Sequence, residues 1–212
     1  MNDLIPAILA HDETAFYQQL QLAETLSPIV QIDVMDGRFV PNVSWYEPEK
    51  LSLISTPARF ELHLMVSRPD SYIETALRAR ASIQRIVWHI EVPAEHQAWL
   101  KRCAQLGFES GLALAPQTPI EQLAPHADAV DEILVLGVEP GLSGQSLIPA
   151  TIDKARRIHA RWPKLHLAFD GGINATTIVQ LKRAGVERFC VASAIFKAKN
   201  PSLEFKKLQM LV

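Results

Sequence analysis

The sequence predicts an α/β fold, a (β/α)8 TIM barrel that uses residues 1–212 as one domain. Three observations point to it. Short β-type runs alternate with longer helical patterns from end to end, eight of each. Four of those runs, residues 30–37, 60–65, 87–91 and 166–172, end in side chains that ligate metal or move protons. Strand side chains alternate faces, so Gln31, Asp33 and Met35 share one face and Ile32 and Val34 the other. The same parity groups Glu61 with His63 and Met65, and His166 with Asp170. An apolar outer face and a polar inner face, with the polar groups late in the strand, suit a parallel barrel whose site lies at the strand C-termini.

The elements follow in order. A strand over 4–9 leads to a helix over 13–26, with Asp12 as its N-cap. A strand over 29–34 and a helix over 47–54 come next. A strand over 59–65 precedes a helix over 71–81, heralded by Pro69. The strand over 85–90 feeds a helix over 94–106, and Gly107 supplies the left-handed residue a helix end favours. A strand over 109–115 precedes a short helix over 120–124. After the strand over 132–137 runs the longest structure-poor connection, from Gly137 to Pro149. Loops of that length in a compact domain are usually functional, and the reading here is a mobile lid. Pro149 opens a helix over 150–161. The strand over 165–169 ends in Asp170-Gly171-Gly172, and Asn174 caps a helix over 175–184 that closes at Gly185. A strand over 188–191 and a helix over 203–210 complete the set. An open doubly wound sheet usually carries a glycine-rich turn after its first strand, whereas residues 7–12 contain no glycine.

Composition narrows the function classes. The 212 residues carry a formal net charge of −2 with no basic run, which argues against nucleic acid as a partner. No apolar run is long enough to span a membrane, and Met1-Asn2-Asp3-Leu4 lacks the positive lead of a signal peptide. Cys103 and Cys190 lie far apart in apolar contexts and read as buried thiols in a reducing cytoplasm. The assembly is open between a single chain and a homo-oligomer.

Five segments resemble the ribulose-phosphate 3-epimerase family. Ile32-Asp33-Val34-Met35-Asp36-Gly37-Arg38-Phe39-Val40-Pro41-Asn42 is similar to its first signature. Leu62-His63-Leu64-Met65 with Arg68-Pro69-Asp70-Ser71-Tyr72-Ile73 resembles its second block. Glu139-Pro140-Gly141-Leu142-Ser143-Gly144-Gln145 resembles the lid loop, Asp170-Gly171-Gly172-Ile173-Asn174 the late strand-end motif, and Ser193-Ala194-Ile195-Phe196 a phosphate-side element. The resemblance implies a barrel of the ribulose-phosphate-binding type and inversion at C3 of a phosphorylated ketopentose.

It also implies roles. Inverting a carbon beside a carbonyl needs a base on one face of an enediolate and an acid on the other, which two opposed carboxylates supply. By match these are Asp33 and Asp170, which with His63 also hold one divalent cation: Zn, Mn, Fe or Mg. Met35, Met65 and Leu136 form the site wall. Gly141, Ser143, Gly144, Gly171, Gly172 and Ser193 bind the phosphate end of the substrate. The chain departs from the family at Gln31, where a histidine ligand is usual; a glutamine oxygen is a weaker, harder donor. It departs also at Ala7, Ala115, Leu136, Leu142-Ser143 and Ala192. His89 and His166 read as core or supporting histidines, and Asp36-Gly37 as a turn. Two rival readings remain. A divergent member could bind a sugar phosphate without epimerising it, or act on another phosphorylated sugar. A barrel decarboxylase or synthase would carry Asp-x-Lys-x-x-Asp, but residues 33–36 hold no lysine.

Overall fold

The computed structural model describes residues 3–79 and 82–212. Eight parallel strands close into one barrel in chain order: β1 (Asp3–Ile8), β2 (Ile29–Met35), β3 (Arg59–Met65), β4 (Ile83–His89), β5 (Glu109–Leu114), β6 (Glu132–Leu136), β7 (His166–Asp170) and β8 (Arg188–Val191). Outside them lie α1 (Glu13–Leu26), α2 (Pro48–Leu51), α3 (Pro69–Ala79), α4 (His96–Gln105), α5 (Ala150–Arg161), α6 (Thr177–Arg183), α7 (Ser193–Phe196) and α8 (Pro201–Gln209). No helix of the described residues is long and apolar enough to cross a membrane.

Local signals set the helix starts. The Asp12 carboxylate accepts the Ala15 N–H at 2.8 Å, and Asn200 accepts the Leu203 N–H at 3.0 Å. Asn174 Oδ1 accepts the N–H groups of Thr176 and Thr177 at the head of α6. Gly107 and Gly185 take φ of 80° and 94°, the left-handed region that spares a side chain none of its usual clash. Residues Phe16, Leu20 and Ala23 of α1 bury one stripe at helical spacing, as do Thr151, Ala155 and Ile158 of α5.

Four elements differ from expectation. The helix expected over 47–54 covers only Pro48–Leu51, because Leu53 beyond it is 83% exposed and has no face to bury. The segment expected as a helix over 120–124 is a 3₁₀ turn, Ile120–Leu123, in which two buried residues three apart match the tighter period. Ser193–Phe196 forms a short helix where only a phosphate-side motif was expected. The helix expected over 71–81 begins earlier, at Pro69, and its last two positions lie outside the described residues, as do Met1 and Asn2.

Face alternation sorts the strand residues into two apolar regions. Ile32, Val34, Leu62 and Leu64 join the large outer cluster against the helices. Ile5, Ala7, Val87, Ala113, Leu134, Leu136, Ala168 and Cys190 form a separate cluster inside the barrel. Both cysteines are buried and free. Below the inner cluster, at the strand N-termini, lies a charged layer. Arg85 pairs with Glu61 at 2.8 Å and with Glu132 at 3.2 Å, and Arg188 pairs with both glutamates. Glu109 and Asp3 close the rim of the layer on the same arginines. Two guanidinium groups thus face four carboxylates.

Burial first, and then the charge of Glu61, push the Glu132 carboxyl up to about 7, against the opposing pull of Arg85 and Arg188. A raised folded-state pKa means that the folded chain binds this proton more tightly than the unfolded chain. The contribution is full below about 4.5 and is lost as pH rises through about 7. Chemical denaturation of wild type and Glu132→Gln from pH 4.5 to 7 should show the wild type losing up to ~3 kcal/mol relative to the variant. A constant difference across that window would refute the assignment.

Candidate active site

The strand C-termini gather the expected residues because of register. Asp33 of β2 stands directly opposite His63 of β3 in the parallel ladder, so both side chains enter the barrel at one level. Their Oδ1 and Nδ1 atoms lie 3.0 Å apart. Asp170 comes from β7, across the mouth, and its Oδ2 lies 3.4 Å from the same His63 nitrogen. Gln31, one pleat below Asp33, reaches both acids: its Nε2 donates to Asp33 Oδ1 at 2.9 Å and to Asp170 Oδ2 at 2.8 Å. The two carboxylates therefore share one amide and one imidazole. All four residues are buried.

Electrostatics follow from that crowding. Burial and the neighbouring Asp170 charge raise the Asp33 pKa, while His63 and Gln31 pull the other way. Burial alone would lower the His63 imidazole, but its contacts with Asp170 and Asp33 push it up to about 9. His63 Nε2 faces His89 Nε2 at 3.1 Å, with the two rings stacked at 5.3 Å. Burial holds the His89 pKa below its ordinary value. His89 thus sits directly behind His63, whereas His166 lies at the start of β7 and pairs with Glu187 on the surface.

One ligand atom each from Asp33, His63 and Asp170 lies within 4.8 Å of the others. Two buried carboxylate oxygens and an imidazole nitrogen suit a small divalent cation, and three protein ligands are the usual complement of a catalytic metal. Gln31 joins that set only if its amide turns to present Oε1, since Nε2 is a donor.

The same cavity, about 330 Å³, is lined by Asp33, His63, Asp170, Met65 and Leu136 together with Gly141, Ser143, Gly144, Gly171, Gly172 and Ser193. Met35 packs behind Met65 in a small cluster with Val40. The loop between β6 and α5 lies over this cavity. Its base is tied by the Ile148 N–H to the Gly137 carbonyl at 2.8 Å. Asn42, from the loop after β2, donates to the Gly141 carbonyl at 2.7 Å, and Gln145 donates to the Glu139 and Leu142 carbonyls. Gly172, at φ 70°, could not carry a Cβ, which would fall 2.6 Å from the Leu147 Cα. Asp36 is a turn residue, accepting from the backbone of Arg38, Phe39 and Ser67.

Two features lie beyond what the sequence pattern specifies. Lys197, just past α7, brings its Nζ to 3.5 Å from where a Cβ on Gly144 would stand, with Ser193 Oγ 3.7 Å from that point. It follows the Ser193–Phe196 motif without being part of it. The link from His63 through His89 to Glu91 joins β3 to the end of β4, and spacing along the chain marks residues 87–91 without showing that they meet His63.

Comparison with known proteins agrees with this geometry. The model of the Ribulose-phosphate 3 epimerase family matches residues 3–196. Ribulose-phosphate 3-epimerase of Schizosaccharomyces pombe is 30% identical over 203 residues, covering 93% of this chain and 88% of that protein. The cytoplasmic isoform from Oryza sativa subsp. japonica is 36% identical over 177 residues, covering 81% of this chain and 77% of the relative. Among solved structures, 3-hexulose-6-phosphate synthase from Salmonella typhimurium superposes with a TM-score of 0.74 at 15% identity, over 100% of this chain and 98% of that one, a likeness of fold. A closed parallel barrel, five motifs in family order and relatives aligned over most of their length converge on one conclusion: the chain belongs to the ribulose-phosphate 3-epimerase family and is an isomerase.

Proposed function

We propose that the protein interconverts ribulose 5-phosphate and xylulose 5-phosphate by proton transfer at C3, with Asp33 and Asp170 as the two proton carriers. The observation that carries this reading is the shared contact of both carboxylates with one Gln31 amide and one His63 nitrogen, at the mouth of a cavity bounded by a glycine-rich loop. Like charges held this close do not ionise together readily, so one carboxyl is the acid while the other is the base. The ionised aspartate removes the C3 proton from one face, leaving a planar enediolate. The protonated aspartate delivers a proton to the opposite face, and C3 is inverted. The reverse reaction exchanges the roles.

Other residues restrict the intermediate. Met65 and Leu136 wall the cavity, with Met35 behind, and offer a soft apolar surface to a flat species. The loop over the cavity acts as a lid that keeps water from the enediolate. Asp33, His63 and Asp170 would hold a divalent cation, whose positive charge stabilises the developing oxyanion. The substrate phosphate lies among Gly144, Gly171, Gly172 and Ser193, with Gly141 and Ser143 on the lid, and Lys197 adds a cation that opposes its charge.

Three measurements test this reading. Asp170→Asn should lower C3 proton exchange on ribulose 5-phosphate by about 10²–10⁴-fold, with the fold intact by circular dichroism. Exchange at the wild-type rate would exclude Asp170 as a proton carrier. Gln31→His should tighten Zn²⁺ binding by roughly 10-fold or more in calorimetry, since imidazole is the better zinc donor and the amide that ties the acids is gone. Unchanged affinity would place Gln31 in the core and not in the metal site. Lys197→Ala should raise KM for the phosphorylated ketose by about 3- to 10-fold at low salt while kcat holds. A KM that neither rises nor loses its salt dependence would remove Lys197 from the phosphate end.

A further inference from the structure

We infer that Glu91, acting through His89, is a positioning residue that fixes a hydrogen on Nε2 of His63, the nitrogen turned away from Asp33 and Asp170. Only the metal-affinity part of the test below rests on the cation reading of the site.

Glu91 follows the end of β4, with its side chain turned inward and 22% exposed. Its two oxygens have separate partners. Oε1 accepts the Ala115 N–H at 2.8 Å and the Thr118 hydroxyl, both from the segment after β5. Oε2 faces His89 Nδ1 at 3.0 Å. An ionised carboxylate only accepts, so His89 must carry its hydrogen on Nδ1 and leave Nε2 bare. That bare nitrogen faces His63 Nε2 at 3.1 Å, so the hydrogen between the rings must belong to His63. Nδ1 of His63 is then the nitrogen left to face the two aspartates.

The polarity of this chain is fixed at its far end, and the surroundings lock it. His89 is fully buried, with Phe39 packed on its ring at 4.5 Å. The ring cannot turn without losing the Glu91 bond. Three hydrogen bonds hold Glu91 itself, and despite burial they and the nearby His89 draw its pKa down to about 2. Remote partners of this kind set the tautomer and orientation of a histidine ligand.

The isosteric variant Glu91→Gln reverses the polarity without changing the shape. Ala115 N–H and Thr118 O–H both need an acceptor, so they hold the amide oxygen, and the NH₂ group turns toward His89. His89 must then accept at Nδ1 and donate from Nε2, and His63 must accept at Nε2. Long-range ¹H–¹⁵N spectra of the full chain without metal read this directly. In wild type, His63 Nε2 should show the shift of a nitrogen that bears hydrogen. In Glu91→Gln it should show a bare nitrogen, with the hydrogen on Nδ1. Zn²⁺ affinity by calorimetry should fall about 10- to 100-fold in the variant, with melting unchanged within a few degrees. Glu91→Ala removes the acceptor without opposing it and should give a mixture of hydrogen-bearing and bare His63 Nε2; it decides the matter if Glu91→Gln does not fold. A His63 nitrogen pattern identical in wild type and both variants would overturn the inference. A wild-type chain that binds no Zn²⁺ would instead refute the cation reading, and the nitrogen shifts would still decide the role of Glu91.

Discussion

Closure of eight parallel strands around one narrow interior is the constraint from which the rest of this structure follows. Every second strand residue must share that interior, and the in-register ladder stacks those residues in layers. Charged groups occupy the N-terminal layer, apolar side chains the middle and the aspartates the C-terminal mouth. The apolar middle separates two polar layers that would otherwise compete for the same partners.

The two polar layers solve the problem of buried charge differently. In the lower one, Arg85 and Arg188 lie between Glu61 and Glu132, and each charge finds an opposite within the layer. Such a cluster adds little net stability over apolar packing, but removing one member strands the others at a cost of about 3–5 kcal/mol. Among the described residues, no arginine lines the upper layer. Its two aspartates have only an imidazole and an amide for company, which leaves a demand for positive charge at the mouth. That imbalance suits the lower layer to holding the barrel together and the upper one to chemistry.

Support for the site extends outward from β3 in both directions. On one side Gln31 spans the barrel mouth from β2 to Asp170 of β7. On the other, His89 and Glu91 carry a hydrogen-bonded line from His63 to the segment after β5. The loop between β6 and α5 is pinned by Asn42 from the loop after β2. Strands β2, β3, β4 and β7, far apart in the chain, therefore converge on His63 and the two aspartates, and small changes in any of them reach Asp33 and Asp170.

Much of this was legible in the residues themselves. Period-two alternation around Asp33, His63 and Asp170 specified inward-facing side chains, and caps at Asp12 and Asn174 marked helix starts, because both effects act within a few residues. Pattern alone overextended the helix after Glu47 and read the Ile120 segment as a helix, since burial of a face is settled by neighbours and not by local spacing. The pairing of Glu61, Arg85, Glu132 and Arg188, the approach of Lys197 to Gly144, and the direction in which Gln31 points its amide depend on strands brought together only by barrel closure. The sequence determined which side chains enter the barrel. The tertiary structure decided which of them meet, because a hydrogen bond requires a distance of about 3 Å that no one-dimensional spacing across 139 residues can encode.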